Sequence, residues 1–176
     1  MRKSFQTACP QGSRSKRSVF DIGELTIVSG GQTGADRAAL DFAIEHNIPH
    51  AGWCPRDRLA EDGPLPPHYE LCETPSCKYA ERTEWNVRDT DATLVFSITA
   101  NPQGGTRLTL VLAERLGKPV LHLSRDAMSP EAAAEKLQVF LDSHSVRVLN
   151  VAGPRASQEP EVVTFVSNVL EQALKA

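Results

Sequence analysis

Leu25-Thr26-Ile27-Val28-Ser29-Gly30-Gly31-Gln32-Thr33-Gly34-Ala35-Asp36-Arg37 decides the fold. Leu25 to Val28 is a short apolar run with β-branched residues, and Ala35 to Glu45 reads as a helix. The glycines therefore fall in a strand-to-helix turn. Such a turn aims free backbone N–H groups, at the positive end of a helix, toward one spot. Glycine lets a ligand come close, because no Cβ stands in the way. The expected visitor is a phosphate or another oxyanion. The turn lacks the Lys-Ser/Thr end of a P-loop and does not fit G-x-G-x-x-G, so a tight βα turn that binds nothing is the plainer alternative.

Outward from this turn, strand and helix patterns alternate. Strands are expected at Leu25–Ser29, His50–Trp53, Ala92–Ser97, Pro119–Leu123 and Val146–Val151. They are short and mostly apolar, as buried parallel strands are. Ser129-Pro130 is a cap with proline at the first helical position, opening a helix to about Leu141. Val162, Val166, Val169, Leu170 and Ala173 line one face of a final helix. This alternation predicts an α/β, Rossmann-like three-layer sandwich around a mainly parallel sheet of five strands or slightly more.

The chain has 176 residues, 40% hydrophobic and 23% charged, which suits one domain with a sizeable core. Residues 1–20 hold Arg2, Lys3, Arg14, Lys16 and Arg17 and no acid. Against a net charge of -3 overall, that leaves -8 for the remainder. Residues 1–23 thus read as a disordered basic tail and residues 24–176 as a single Rossmann-like domain. The overall charge gives no reason to expect specific nucleic-acid or membrane binding, and no apolar run approaches spanning length. The tail lacks the apolar core of a secretory signal; an organelle transit role stays open. Cys9, Cys54, Cys72 and Cys77 form no C-x-x-C pair, and the five histidines are scattered, so neither a disulfide framework nor a zinc site is expected. A reducing cytoplasm is the simplest setting.

In an open α/β sheet, ligands bind where loops leave the carboxyl ends of the strands. Four loops share that rim: the glycine turn, the proline-rich stretch from Cys54 to Pro75, the Thr99–Thr106 loop and the Ala152–Ser157 loop. Arg56 and Arg58 lie in the second and suit phosphate recognition, unless Glu61 and Asp62 simply pair with them. Pro75 to Asp89 reads as a helix capped by Thr74. Its Tyr79, Arg82, Thr83 and Asn86 form a hydrogen-bonding stripe that either lines a polar pocket or faces solvent. Gln103-Gly104-Gly105-Thr106 opens the next helix as a second anion cradle. No nucleophile–base–acid set can be assigned; Asp36 and Glu61 remain candidate bases.

Gly30-Gly31-Gln32-Thr33-Gly34-Ala35-Asp36-Arg37-Ala38-Ala39-Leu40, Gly52-Trp53-Cys54-Pro55, Ala60-Glu61-Asp62-Gly63-Pro64, Arg82-Thr83-Glu84-Trp85-Asn86-Val87-Arg88-Asp89, Gly104-Gly105-Thr106 and Asn150-Val151-Ala152-Gly153-Pro154-Arg155 together resemble the putative molybdenum carrier family. The resemblance spans about residues 25–175. It implies a Rossmann-like fold related to the lysine-decarboxylase-like, cytokinin-activating phosphoribohydrolases, and binding of molybdenum cofactor, a pterin bearing a phosphate. It further implies a homo-oligomer, with molybdenum enzymes as recipients of the cofactor. The candidate ligand-binding set is Gly30, Gly31, Gln32, Thr33, Gly34, Asp36, Arg56, Arg82, Thr83, Asn86, Gly104, Gly105 and Thr106. The phosphoribohydrolases carry P-G-G-x-G-T-x-x-E, whereas Thr109 stands here where their catalytic glutamate falls. That weighs against glycosidic hydrolysis, since the transition state lacks its carboxylate. A nucleotide-processing enzyme, with Glu61 or Glu84 substituting, is the alternative.

Overall fold

The computed structural model describes residues 22–174. The tail expected over residues 1–23 therefore lies outside the described residues up to position 21. Ile22–Glu24 forms a 3-10 turn, and Ile22 packs against the main core.

In chain order the elements are β1 (Thr26–Val28), α1 (Ala35–Glu45), β2 (His50–Ala51), β3 (Trp53–Cys54), a 3-10 turn at Arg56–Arg58, β4 (Leu59–Ala60), β5 (Gly63–Pro64), β6 (Cys72–Glu73), α2 (Tyr79–Arg88), β7 (Ala92–Ser97), α3 (Gly104–Arg115), β8 (Val120–Ser124), α4 (Pro130–His144), β9 (Val148–Ala152) and α5 (Val162–Leu174). The main sheet has five strands in the order β2-β1-β9-β7-β8, and every pairing in it is parallel. The last strand, β9, sits at its centre between β1 and β7. The chain leaves β1 toward one edge through α1, and leaves β7 toward the other through α3. The carboxyl end of β9 therefore lies at a topological switch point, the place where open α/β sheets generally bind ligands.

Residues expected to be one strand at His50–Trp53 are two. His50–Ala51 pairs with β1, and Trp53–Cys54 pairs with β6 outside the main sheet. Gly52 between them has φ +150, and a Cβ there would stand 1.9 Å from the Ser29 carbonyl oxygen. The chain can turn away from the sheet only because this residue has no side chain. The next helix also starts later than expected, at Tyr79. Thr74 is not its cap: its hydroxyl meets the carbonyls of Cys54 (3.3 Å) and Ser76 (3.0 Å) and so closes the long loop onto β3. The α4 start is as expected, with Ser129 accepting from the Ala132 N–H at 3.3 Å and Pro130 at the first position. That helix runs on to His144 and ends at Ser145, which is left-handed at φ 49.

Helices α4, α5 and α1 cover one face of the sheet, and α2 and α3 the other. Strand alternation sends Ala92, Leu94 and Phe96 to the first face, where they join Leu137, Leu141, Phe165, Val166 and Leu170 in the main core. Phe96 meets Phe165 edge to face, with ring centroids 5.6 Å apart. Among the described residues no helix is long and apolar enough to cross a membrane.

Candidate functional site

The opposite face of the sheet is built differently. Of the alternate residues of β7, Thr93 and Ser97 are fully buried and polar, with the fully buried Val95 between them. Asn150 on β9 donates to Thr93 Oγ1 at 3.3 Å, and Ser29 donates to the Val151 carbonyl at 2.7 Å. Ser97 Oγ lies 2.7 Å from His122 Nε2 and 2.6 Å from the Thr99 carbonyl. Burial pushes the His122 pKa down, which keeps the ring neutral near pH 7. This polar floor reaches the rim below the β1–α1 and β7–α3 loops.

Of the α2 stripe, Arg82, Thr83 and Asn86 are buried, so it faces inward rather than solvent. Asn86 uses both ends of its amide on Trp53, accepting from its N–H (2.7 Å) and donating to its carbonyl (3.0 Å). It clamps β3 in place. Thr83 bonds back to the Tyr79 carbonyl at 2.9 Å. Arg82 crosses above the sheet to Asp36 on α1, 3.0 Å away, in a pair with side chains 10% and 3% exposed. A Cβ at Gly30 would stand 1.8 Å from Arg82 Nη1, so the glycine makes the guanidinium's passage possible. Burial pushes the Asp36 pKa up, opposed by Arg82 and by the N–H groups of Gln32 and Gly153. Among the described residues Arg82 Nε has no hydrogen-bond partner.

The glycine turn is largely satisfied by the protein itself. The Gln32 N–H points at Asp36 (3.4 Å), the Thr33 N–H at Gln32 Oε1 (3.0 Å), and the Ala35 N–H at the Pro154 carbonyl (3.2 Å). Gly34, with φ +85, backs onto the next loop; a Cβ would stand 2.3 Å from Pro154 O and 2.7 Å from Ala156 N. Its missing side chain thus admits the 154–156 backbone, and its substitution strains the fold before it excludes a ligand. Gly31 faces the side chains of Leu65 and Leu71.

Glu61, at the tip of the β4–β5 hairpin, reaches over this turn. Its carboxylate accepts from Thr33 Oγ1, from Ser157 Oγ (2.6 Å) and from the Ser157 N–H (3.4 Å), with Arg155 at 4.0 Å. The hydroxyls of Ser157 and Thr33 hold its pKa below the usual carboxylate range. Asp62 beside it pairs with Arg37, whose Nη2 lies 3.0 Å from Asp62 Oδ1. Neither acid pairs with Arg56 or Arg58, the alternative that their closeness in sequence allows. Arg58 instead donates to the carbonyls of Leu65, Pro66, Leu71 and Tyr69, organising the long loop. Arg56 is exposed, beside Asp57 at 3.6 Å and the Pro75 carbonyl at 3.5 Å.

The second glycine pair is open. Helix α3 begins after Gln103 without a side-chain cap, Gly104 adopts φ +56, and nothing lies within 4 Å of a Cβ placed at Gly104 or Gly105. Thr106 is buried beneath them. Thr109 turns its hydroxyl back to the Gly105 carbonyl at 3.1 Å. Glu84 pairs across the α2–α3 surface with Arg115 at 3.5 Å, away from the polar floor. At the far end of α1, the ligating atoms of Glu45, His46 and Glu171 fall within 4.8 Å of one another. His46 Nε2 lies 3.3 Å from Glu171 Oε1 within that grouping.

Sequence reading misses the Glu61–Ser157 link, the Arg37–Asp62 pair and the Ser97–His122 contact. Only the adjacent acids Glu61-Asp62, ahead of Gly63, mark a hairpin tip worth following.

No curated protein matches the chain. A crystal structure of a "Putative molybdenum carrier protein" from Syntrophus aciditrophicus is similar, with 48% identity, a TM-score of 0.85, and coverage of 88% of this chain and 97% of that one. A family model matches residues 27–174. The chain belongs to the circularly permutated YpsA SLOG family.

Proposed function

We propose that the protein binds and carries molybdenum cofactor, or a closely related phosphorylated heterocycle, without turning it over. The ligand's phosphate lies at the N-terminus of α3, on the N–H groups of Gly104, Gly105 and Thr106. Its ring lies along the polar floor toward Arg82 and Thr83. Gly30, Gly31, Gln32, Thr33, Gly34, Asp36 and Asn86 shape the neighbouring wall, and Arg56 stands at the outer margin. The observation that carries this reading is the contrast between the two glycine turns. The first commits the Gln32 and Thr33 N–H groups to its own side chains; the second is exposed, uncapped and beside the switch point. The name of the Syntrophus relative supports a molybdenum-related cargo. The remaining expectations, a cytoplasmic homo-oligomer that delivers to molybdenum enzymes, form part of the same proposal.

A nucleotide-processing enzyme is the second reading, favoured by the Glu61 carboxylate at the rim. Against it, the position of the phosphoribohydrolase glutamate holds Thr109, which is buried and bonded to Gly105.

Titration with the cofactor and incubation with nucleoside monophosphates separate the two. The carrier reading expects saturable binding, competition by inorganic phosphate, and no released base. Base release above about 1 s⁻¹, within the usual enzyme range, would make the protein an enzyme and the carrier reading wrong. The phosphate anchor has its own variant, Gly105→Asp. A carboxylate in the first turn favours the helix but repels a phosphate. Melting temperature should hold while phosphate binding falls at least about tenfold; undiminished binding removes α3 from the site.

A further inference from the structure

We propose that the Glu61 carboxylate is a built-in surrogate anion, seated in a second oxyanion subsite formed by Thr33, Ser157 and Arg155, from which a ligand oxyanion displaces it. The subsite joins two loops of the rim. Thr33 comes from the β1–α1 turn, and Ser157 and Arg155 come from the loop after β9. They present two hydroxyl donors, one backbone N–H and a guanidinium to a single carboxylate. This is the donor chemistry that holds a phosphate or a ligand carboxylate.

Thr33 and Arg155 are held in place independently of Glu61. Thr33 Oγ1 also accepts from the Ala156 N–H at 3.2 Å, which ties the two loops together. The Arg155 guanidinium rests over the Tyr79 ring, 4.7 Å from its centroid. Glu61 sits at the tip of a hairpin with two-residue strands, with its side chain 20% exposed. Its backbone is pinned, since its N–H donates to Gln32 Oε1 at 2.9 Å and Ala60 is buried. The carboxylate can therefore swing to solvent by side-chain rotation while the hairpin stays put. An anion arriving at the rim finds the seat taken and must supply more than Glu61 supplies. The effect is a lowered affinity for small anions and a preference for ligands with a second point of attachment.

This inference rests on the reading of the rim as an oxyanion site, and it differs from that reading in the sign of one effect. A residue that helps to bind the ligand loses affinity when truncated; a surrogate gains it. Inorganic phosphate is the probe, titrated calorimetrically at constant ionic strength into the whole chain, Glu61→Ala, Glu61→Gln, Glu61→Ala/Ser157→Ala and Glu61→Ala/Gly105→Asp. Glu61→Ala should bind phosphate at least about tenfold tighter. Glu61→Gln, which keeps the shape and loses the charge, should gain in the same direction. Adding Ser157→Ala should remove most of the gain, and adding Gly105→Asp should leave it. Unchanged or weaker binding in both Glu61 variants overturns the proposal, as does a gain that Gly105→Asp abolishes. If Glu61→Ala gains while Gly105→Asp alone has no effect on the wild-type chain, the surrogate stands and the α3 anchor falls.

Discussion

The two faces of the central sheet are made from the same strands and do opposite work. On the α1/α4/α5 face, Leu94, Phe96, Leu149 and Val151 are fully buried among aliphatic and aromatic neighbours. On the α2/α3 face, Thr93, Ser97 and Asn150 are as deeply buried but polar, and each has a hydrogen-bond partner. The apolar face holds the fold with contacts that need no particular direction. The polar face holds fewer such contacts and keeps directional groups beneath the rim, where a polar ligand can use them. Burying polar groups gives up part of the apolar core, and here the loss is confined to one side.

The largest expected effect lies on the apolar side. Phe96→Ala removes a fully buried ring and should destabilise the protein by about 3–5 kcal/mol in urea unfolding. Arg82→Met is next, at about 3 kcal/mol, because it leaves the buried Asp36 carboxylate without its partner. This variant carries a pH signature that Phe96→Ala lacks. The folded-state pKa of Asp36 is already raised, so the folded state takes up its proton at higher pH than the unfolded chain does. The group's contribution to stability therefore falls as pH rises from the unfolded value through the folded one. Without Arg82 the folded pKa rises further, and the deficit of Arg82→Met should shrink as pH falls from 7 toward 4. A deficit that does not change with pH would mean that Arg82 acts through packing alone. The smallest effect belongs to Thr93→Val, which deletes the partner of the Asn150 amide and should cost about 1 kcal/mol. If it costs as much as Phe96→Ala, the two faces do not differ in the way described.

Elements with strong local signals are legible in the residues. Helix α1 spans Ala35 to Glu45, the bounds its sequence suggests, and the Ser129-Pro130 start of α4 holds. Both depend on interactions within a few residues. Features that do not show depend on distant partners. The strand break at Gly52 exists because Ser29 comes within reach, and nothing around Gly52 announces that approach. Thr74 has the residue type and position of a cap, but Cys54, 20 positions away, claims its hydroxyl. The polar stripe of α2 is visible in sequence, while its division of labour is not. Asn86 serves β3 and Arg82 serves Asp36, and each assignment needs the packing of α2 against a separate segment. Glycine spacing likewise marks both turns as equals, although one is filled by its own side chains and the other is open.

The position of β9 has a consequence for synthesis. β1 and β7 are not hydrogen-bonded to each other; both await β9, which pairs with each of them. As the chain leaves the ribosome, β2–β1 and β7–β8 can each pair early, but the sheet stays in two pieces until residues 148–152 arrive. Two apolar strand edges remain open through that interval, and closure joins segments more than 120 residues apart at β1. Such long-range closure is slow and leaves edges available to other chains. The proposed ligand site, which lies beside that same strand, cannot form before it arrives.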